Sequence, residues 1–248
     1  MNAEPLEPTE AFLVAAKEYG LVFDAGDLSR LGHYLSMLLE ANTRFNLTAI
    51  TDPNEAWRKH IFDSLTLLPL LASGEAGTVI DVGSGGGLPG IPLAITMPHV
   101  KFTLLESTRK KAEFLREVAD ALDLTNVDVV NERAETIGQD REQHREKYDV
   151  VLARAVGRMP VLLELAAPLA KIEGHILAIK GERVSEELTR AKPALHLLHC
   201  KPLGTVRTPT GTIVIIQKLR RTPKLYPRRP GEPRRVPLGL GKGGAKKK

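Results

Sequence analysis

At 248 residues, with 42% hydrophobic and 26% charged residues, the chain has the apolar content for one large α/β domain plus at most a small appendage. It carries no apolar run of bilayer length, no basic-then-apolar start and only one cysteine, Cys200. This composition argues against a membrane span, a signal peptide, an internal disulfide or a cysteine-based metal site, and points to a reducing cytoplasm. The net charge of +5 is uneven: from Lys218 onward twelve Lys/Arg face a single acid, Glu232, leaving the preceding residues at −6, and such a basic end suits either a polyanion such as RNA or plain solvation.

Residues 1–76 read as a small helical region. Phe12, Ala15 and Ala16, then Leu28, Leu31, Leu35, Leu38 and Leu39, recur at helical spacing over 10–18 and 28–39. A third helix opens at Asp52-Pro53-Asn54-Glu55, where Asp52 caps, Pro53 fits the first turn and Glu55 completes a capping box. Along it Trp57, Ile61, Leu65 and Leu68 are predicted to share a face. From 77 to 219 short β-rich runs at 78–82, 101–106, 127–131, 149–153 and 175–180 alternate with helical stretches at 90–96, 109–122, 159–170 and 184–198. Alternation implies parallel strands covered on both faces. The last two runs, 201–207 and 212–219, flank a turn at Pro209-Thr210-Gly211 and predict an antiparallel hairpin. A mostly parallel seven-stranded sheet closed by a hairpin is the layout of Rossmann-like class I methyltransferases. Residues 220–248 are expected to form a basic, flexible tail.

The most informative segment is Asp81-Val82-Gly83-Ser84-Gly85-Gly86-Gly87-Leu88-Pro89-Gly90, directly after the β-branched run Val79-Ile80. Glycines at the carboxyl end of a strand let the backbone turn tightly and approach a nucleotide. A dinucleotide fingerprint can be laid on Gly85, Gly87 and Gly90, but it falls late for a loop leaving Val82 and gives Asp81 no role. With Asp81 closing the strand and Gly83 to Gly87 accommodating the methionine part of S-adenosylmethionine, the whole segment is used. Glu106 ends the second strand 23 residues past Gly83, where a carboxylate can accept from both hydroxyls of a ribose. Ala134 and Glu135 follow the third strand, where an adenine is bordered in such folds. Arg154 follows the fourth, with cofactor, RNA or Glu135 as its open partners.

In order along the chain, Asn46-Leu47-Thr48-Ala49-Ile50, His60-Ile61-Phe62-Asp63-Ser64-Leu65, Asp81 through Pro92, Leu104 to Leu115, Ala153-Arg154-Ala155, Ala178 to Gly181 and Tyr226 to Gly231 resemble the RsmG (GidB) family of bacterial 16S rRNA guanine-N7 methyltransferases. The resemblance implies methylation of a guanine N7 in the 530 loop of 16S rRNA. It also implies S-adenosylmethionine contacts at Gly83, Leu88, Glu106, Ser107, Thr108, Ala134, Glu135 and Arg154. Asn46, His60, Asp63 and Lys180 belong to recurring segments and are candidates for the guanine pocket, with an i,i+3 pair on the third helix as the alternative for His60 and Asp63. The family more often has Asp at the position of Glu106, a change of one methylene in reach.

Guanine N7 carries a lone pair and no proton, so its methylation requires alignment rather than a general base, and no catalytic acid, base or nucleophile is assigned. The seven histidines show no zinc spacing. The N7 edge is inaccessible in an A-form helix, so the target must sit in a loop or be splayed out. Phosphate contacts are expected from Arg228, Arg229, Arg234 and Arg235, with Arg58 and Lys59 as further candidates. The expected partner is 16S rRNA or the small ribosomal subunit, met by a monomer without metal or membrane. An NAD-dependent oxidoreductase lacks its pyrophosphate loop here. A non-catalytic ribosome-assembly module on the same fold is the alternative.

Overall fold

The computed structural model describes residues 4–74 and 76–239; the lysine-rich end at 242–248 lies outside them. Helix α1 (Glu10–Glu18) starts where the Thr9 hydroxyl accepts the Phe12 N–H at 3.1 Å, satisfying one donor that a helix start leaves open. Its buried Phe12 packs on the Trp57 indole with ring centroids 4.7 Å apart. Helix α2 (Asp27–Asn42) buries Leu31, Tyr34, Leu35 and Leu38, a stripe at the spacing of one helix face. At α3 (Pro53–Ala56) the Asp52 carboxylate accepts the Glu55 N–H at 2.8 Å, the cap predicted from sequence. The chain then widens into a π-helical turn, Trp57–Phe62, before α4 (Asp63–Leu65) and α5 (Leu68–Ser73). A plain α-helix would keep Trp57, Ile61, Leu65 and Leu68 on one face. The wider turn buries Trp57, His60, Ile61 and Phe62 together and leaves Leu68 half-buried.

The alternating region gives β1 (Thr78–Val82), α6 (Gly90–Thr96), β2 (Lys101–Leu105), α7 (Arg109–Ala121), β3 (Val127–Val130), α8 (Ala134–Ile137), β4 (Tyr148–Arg154), α9 (Met159–Ala166), β5 (Ala170–Lys180), α10 (Val184–Leu197), β6 (Cys200–Thr208), β7 (Gly211–Lys218) and α11 (Glu232–Arg235). The seven strands are ordered β3-β2-β1-β4-β5-β7-β6. Pairs β1/β4, β2/β3 and β4/β5 are parallel, whereas β7 runs antiparallel to β5 with Leu177 opposite Ile215. The sheet is therefore the expected one, mostly parallel with an antiparallel end. The strand order reverses between β1 and β4, the switch point at which open α/β sheets hold ligands. Two boundaries differ most from expectation. Helix α9 stops at Ala166 instead of running to 170, because Pro168 has no N–H with which to continue the helix ladder, although Ala167 before it keeps helical backbone angles. Strand β5 consequently begins at Ala170 rather than at 175.

The described residues divide into two compact units, those within 1–77, 84–131 and 208–210, and those within 78–83, 132–207 and 211–248. Contacts thus group β2, α7 and β3 with the N-terminal helices, a division different from the one drawn at 76 and 219 from composition. Within the second unit much of the expected flexible tail is anchored. Buried Arg145 donates to the carbonyls of Gly138, Tyr226 and Thr222 at 2.5–2.8 Å. Arg228 holds the fully buried Glu164 through Nε at 2.8 Å and Nη2 at 2.6 Å. Buried Lys218 donates to the carbonyls of Ala167 and Ala170 at 2.6 and 3.2 Å, supplying partners that the end of α9 would otherwise lack. Burial pushes the Lys218 ammonium below its ordinary range despite Glu146 beside it.

Candidate functional site

In the first unit the glycine loop is organised by main-chain and carboxylate bonds. Ser84 N–H donates to Leu105 O at 3.0 Å, and Gly87 and Leu88 N–H donate to Ser84 O at 2.8 and 3.1 Å. Gly85 and Gly87 have φ of 59° and 99°, values that favour glycine. Glu106, 6% exposed, accepts the Gly85 N–H on Oε2 at 3.0 Å and the Thr108 N–H on Oε1 at 2.7 Å. Each carboxylate oxygen keeps a further lone pair for a hydroxyl donor, so the two amide bonds orient Glu106 without using it up. Asn131 Nδ2 donates to the Glu106 carbonyl at 2.8 Å, tying the ends of β2 and β3 together. Gly86 and Gly87 have a packing reason that sequence did not reveal. A Cβ on Gly86 would lie 2.7 Å from Leu38 Cδ1, and one on Gly87 would lie 2.6 Å from Ile91 Cγ1. The Tyr34 hydroxyl also donates to Gly86 O at 2.8 Å.

His60 and Asp63 are buried in the same unit, at 3% and 6% exposure. His60 Nε2 and Thr48 Oγ1 share a 2.8 Å hydrogen bond, and Thr48 Oγ1 accepts the Ile50 N–H at 3.0 Å. Asn42 Oδ1 accepts the N–H groups of Leu47 and Thr48 at 2.8 and 2.9 Å. The Asp63 carboxylate accepts the Thr210 hydroxyl at 2.5 Å. Both side chains therefore hold loops, His60 the segment 47–50 and Asp63 the hairpin turn, while Asn46 is exposed. Ser107 and Thr108 are exposed and Leu88 is half-buried. Arg58 is exposed, and Lys59 pairs with Glu55 at 2.9 Å.

In the second unit Asp81 is buried in β1, and Gly83 beyond it is exposed with φ of 73°. A Cβ there would meet nothing nearer than Val156 Cγ2 at 3.7 Å, so the backbone is open to a ligand. Ala134 and Glu135 begin α8, which sequence did not foresee. Glu135, buried to 4% exposure, receives Arg133 Nη2 at 3.1 Å and the Gly231 N–H at 2.8 Å. Burial raises its pKa, but the Arg133 and Gly231 hydrogen bonds outweigh that and hold it below the ordinary value. Arg133 was visible two residues away in the chain; Gly231 lies in a segment that carried the resemblance, but nothing in the sequence paired it with Glu135. Arg154 is half-buried at the end of β4, and Ala155 after it adopts φ of 56°, uncommon for a residue with a Cβ. Lys180 Nζ donates to Gly157 O at 2.6 Å and to Glu187 Oε2 at 2.8 Å. Arg229, Arg234 and Arg235 are exposed, whereas Arg228, expected on phosphate, is committed to Glu164. Among the described residues no three His, Cys, Asp or Glu side chains are placed as metal ligands, and no helix is long and apolar enough to cross a membrane.

The first unit thus presents oriented carboxylate oxygens on Glu106, and the second an open backbone at Gly83 and a buried carboxylate on Glu135. The model of a family described as rRNA small subunit methyltransferase G matches residues 27–212. The chain is 48% identical over 226 residues to Ribosomal RNA small subunit methyltransferase G of Sorangium cellulosum, covering 91% of this chain and 94% of that one. It is 42% identical to the protein of that name from Halalkalibacterium halodurans, covering 94% and 100%. Among solved structures, the Bacillus cereus O-methyltransferase in complex with SAH superposes with a TM-score of 0.56 at 17% identity, covering 83% of this chain and 97% of that one. A Geobacter sulfurreducens methyltransferase gives 0.55 at 12% identity, covering 87% and 100%. These two similarities establish the methyltransferase fold, and the family match and sequence relatives establish that the chain belongs to the rRNA small subunit methyltransferase G family.

Proposed function

We propose that this chain uses S-adenosylmethionine to methylate N7 of a guanine in 16S rRNA, in the 530 loop region, acting as a monomer in the cytoplasm. The observation that carries the reading is Glu106, a buried carboxylate already oriented by Gly85 and Thr108 amides in a chain of this family. When bound, S-adenosylmethionine supplies an electrophilic methyl group on a sulfonium. Gly83, Leu88, Glu106, Ser107, Thr108, Ala134, Glu135 and Arg154 are the residues assigned to hold it, with Asp81 organising the loop from β1. Guanine N7 attacks with its own lone pair and releases no proton, so the protein has to align and desolvate rather than move a proton.

The test is transfer of labelled methyl to purified 16S rRNA, small subunits and 23S rRNA, with Gly83→Asp as control. Label confined to a guanine N7 of 16S rRNA and lost in Gly83→Asp is the expected result. Cofactor binding without transfer to any of the three would overturn the reading and leave the assembly module.

A further inference from the structure

We infer that the loops leaving β4 and β5 form an arginine-lined groove that grips the phosphodiester backbone of the RNA substrate. The cavity there has a volume of about 460 Å³ and is lined by Arg158, Arg183 and Arg190 with Glu186, Glu187 and Met159. It belongs wholly to the second unit and lies past the carboxyl ends of two parallel strands, where open α/β sheets present their ligands. Arg158 follows Arg154 by four residues, and Arg183 precedes α10 three residues past Lys180.

The charge balance of the groove is built in. Glu187 is occupied, accepting Lys180 Nζ at 2.8 Å and the Met159 N–H at 3.1 Å. It therefore neutralises Lys180 and completes the start of α9 rather than serving an arginine. Glu186 reaches only Arg190, at 3.8 Å between exposed side chains. Among the described residues neither Arg158 nor Arg183 has an ion-pair partner, and both are exposed. The arginines that stabilise this unit look different, since Arg145 donates to several carbonyls and Arg228 to a buried carboxylate. Unpaired guanidinium forks on a concave surface match phosphate oxygens in geometry and charge. A concave set of three arginines, two of them without an ion-pair partner among the described residues, favours a threaded phosphodiester strand over an acidic protein face. The inference rests on the reading of the chain as an RNA methyltransferase.

The test is binding of protein-free 16S rRNA across a salt series by the parent enzyme, by the triple variant Arg158→Ala/Arg183→Ala/Arg190→Ala, and by Glu186→Gln. Losing three phosphate contacts should weaken binding about tenfold or more and lower the salt slope by roughly two to three. Glu186→Gln should tighten binding, and S-adenosylmethionine affinity should keep the parental value throughout. A triple variant with parental affinity and slope overturns the inference. So does parental binding of protein-free RNA combined with lost methylation of small subunits, which would place a ribosomal protein in the groove. A parent enzyme that neither binds nor methylates RNA would instead sink the functional reading, and the groove with it.

Discussion

Glu106 has a task in the fold that its place in the sequence did not disclose. Its position after β2 suggested a ribose acceptor; the structure adds that its two oxygens fix the amides of Gly85 and Thr108. Glu106→Gln retains the side-chain length but replaces one acceptor by an NH2 group that must face a backbone N–H. Glu106→Ala abandons both amides. Hydrogen bonds to charged groups contribute about 1.5–3 kcal/mol each, so titration calorimetry should find S-adenosylmethionine affinity reduced by an order of magnitude or more in both variants, with Glu106→Ala the weaker. Glu106→Asp, which keeps the carboxylate one methylene shorter, should bind more tightly than either. Parental affinity in Glu106→Gln would remove the carboxylate from the cofactor site. The glycines show the limit of reading a motif. Gly83 has open space where a side chain would stand, but a Cβ on Gly86 would press on the Leu38 side chain of α2, 48 residues away in the chain. A pattern of glycines does not say which ones face a ligand and which face a neighbouring helix.

At the scale of elements, local chemistry was legible and long-range partners were not. The Asp52 cap, the strand–helix alternation and the closing hairpin follow from turn residues and periodicity. The π turn was hidden because its residue types fit an α-helix equally well and only tertiary packing widens it. The C-terminal segment misled for a physical reason. A run of arginines reads as solvated until the acid that buries one of them is known, and Glu164 sits 64 residues earlier. The contrast between neighbours tests this. Truncating Arg228 leaves Glu164 buried without its partner charge, with only the backbone N–H of residue 228 still donating to it, an event that costs about 3–5 kcal/mol. Arg228→Ala should therefore lower the urea midpoint strongly at unchanged m-value, while exposed Arg229→Ala stays within about 0.5 kcal/mol of the parent. Removing both members, Arg228→Ala with Glu164→Ala, should recover part of the loss, since the stranded charge is gone. Equal effects at 228 and 229 would return Arg228 to the solvated tail.

Over the whole molecule, the sign of the pH response follows from which carboxylates the fold has claimed. Glu135 is held below its ordinary 4.5 by Arg133 and Gly231 against the opposing effect of burial. Asp149, also raised by burial, is brought below its ordinary 3.8 by Lys171 and by the hydroxyl and amide of Thr78. Asp140, on the surface, moves the same way through the Gln143 amide. For each, the unfolded chain binds its proton at a higher pH than the native one does. The stabilisation is therefore complete above the ordinary values and is lost as pH falls through the depressed native ones. The alkaline side has no such single sign. Cys200, pushed up to about 12 by burial, withdraws stability as pH rises above its ordinary 9.0, whereas the depressed Lys218 returns some as it deprotonates. The acid limb is thus the clean measurement. Urea midpoints should hold steady down to about pH 4.5 for these groups and then fall, as their native advantage is titrated away. Glu135→Gln and Asp149→Asn should each start lower at neutral pH and fall less steeply below it. An acid limb as steep in both variants as in the parent would show that other carboxylates carry the response and that the Glu135 contacts to Arg133 and Gly231 contribute little in solution.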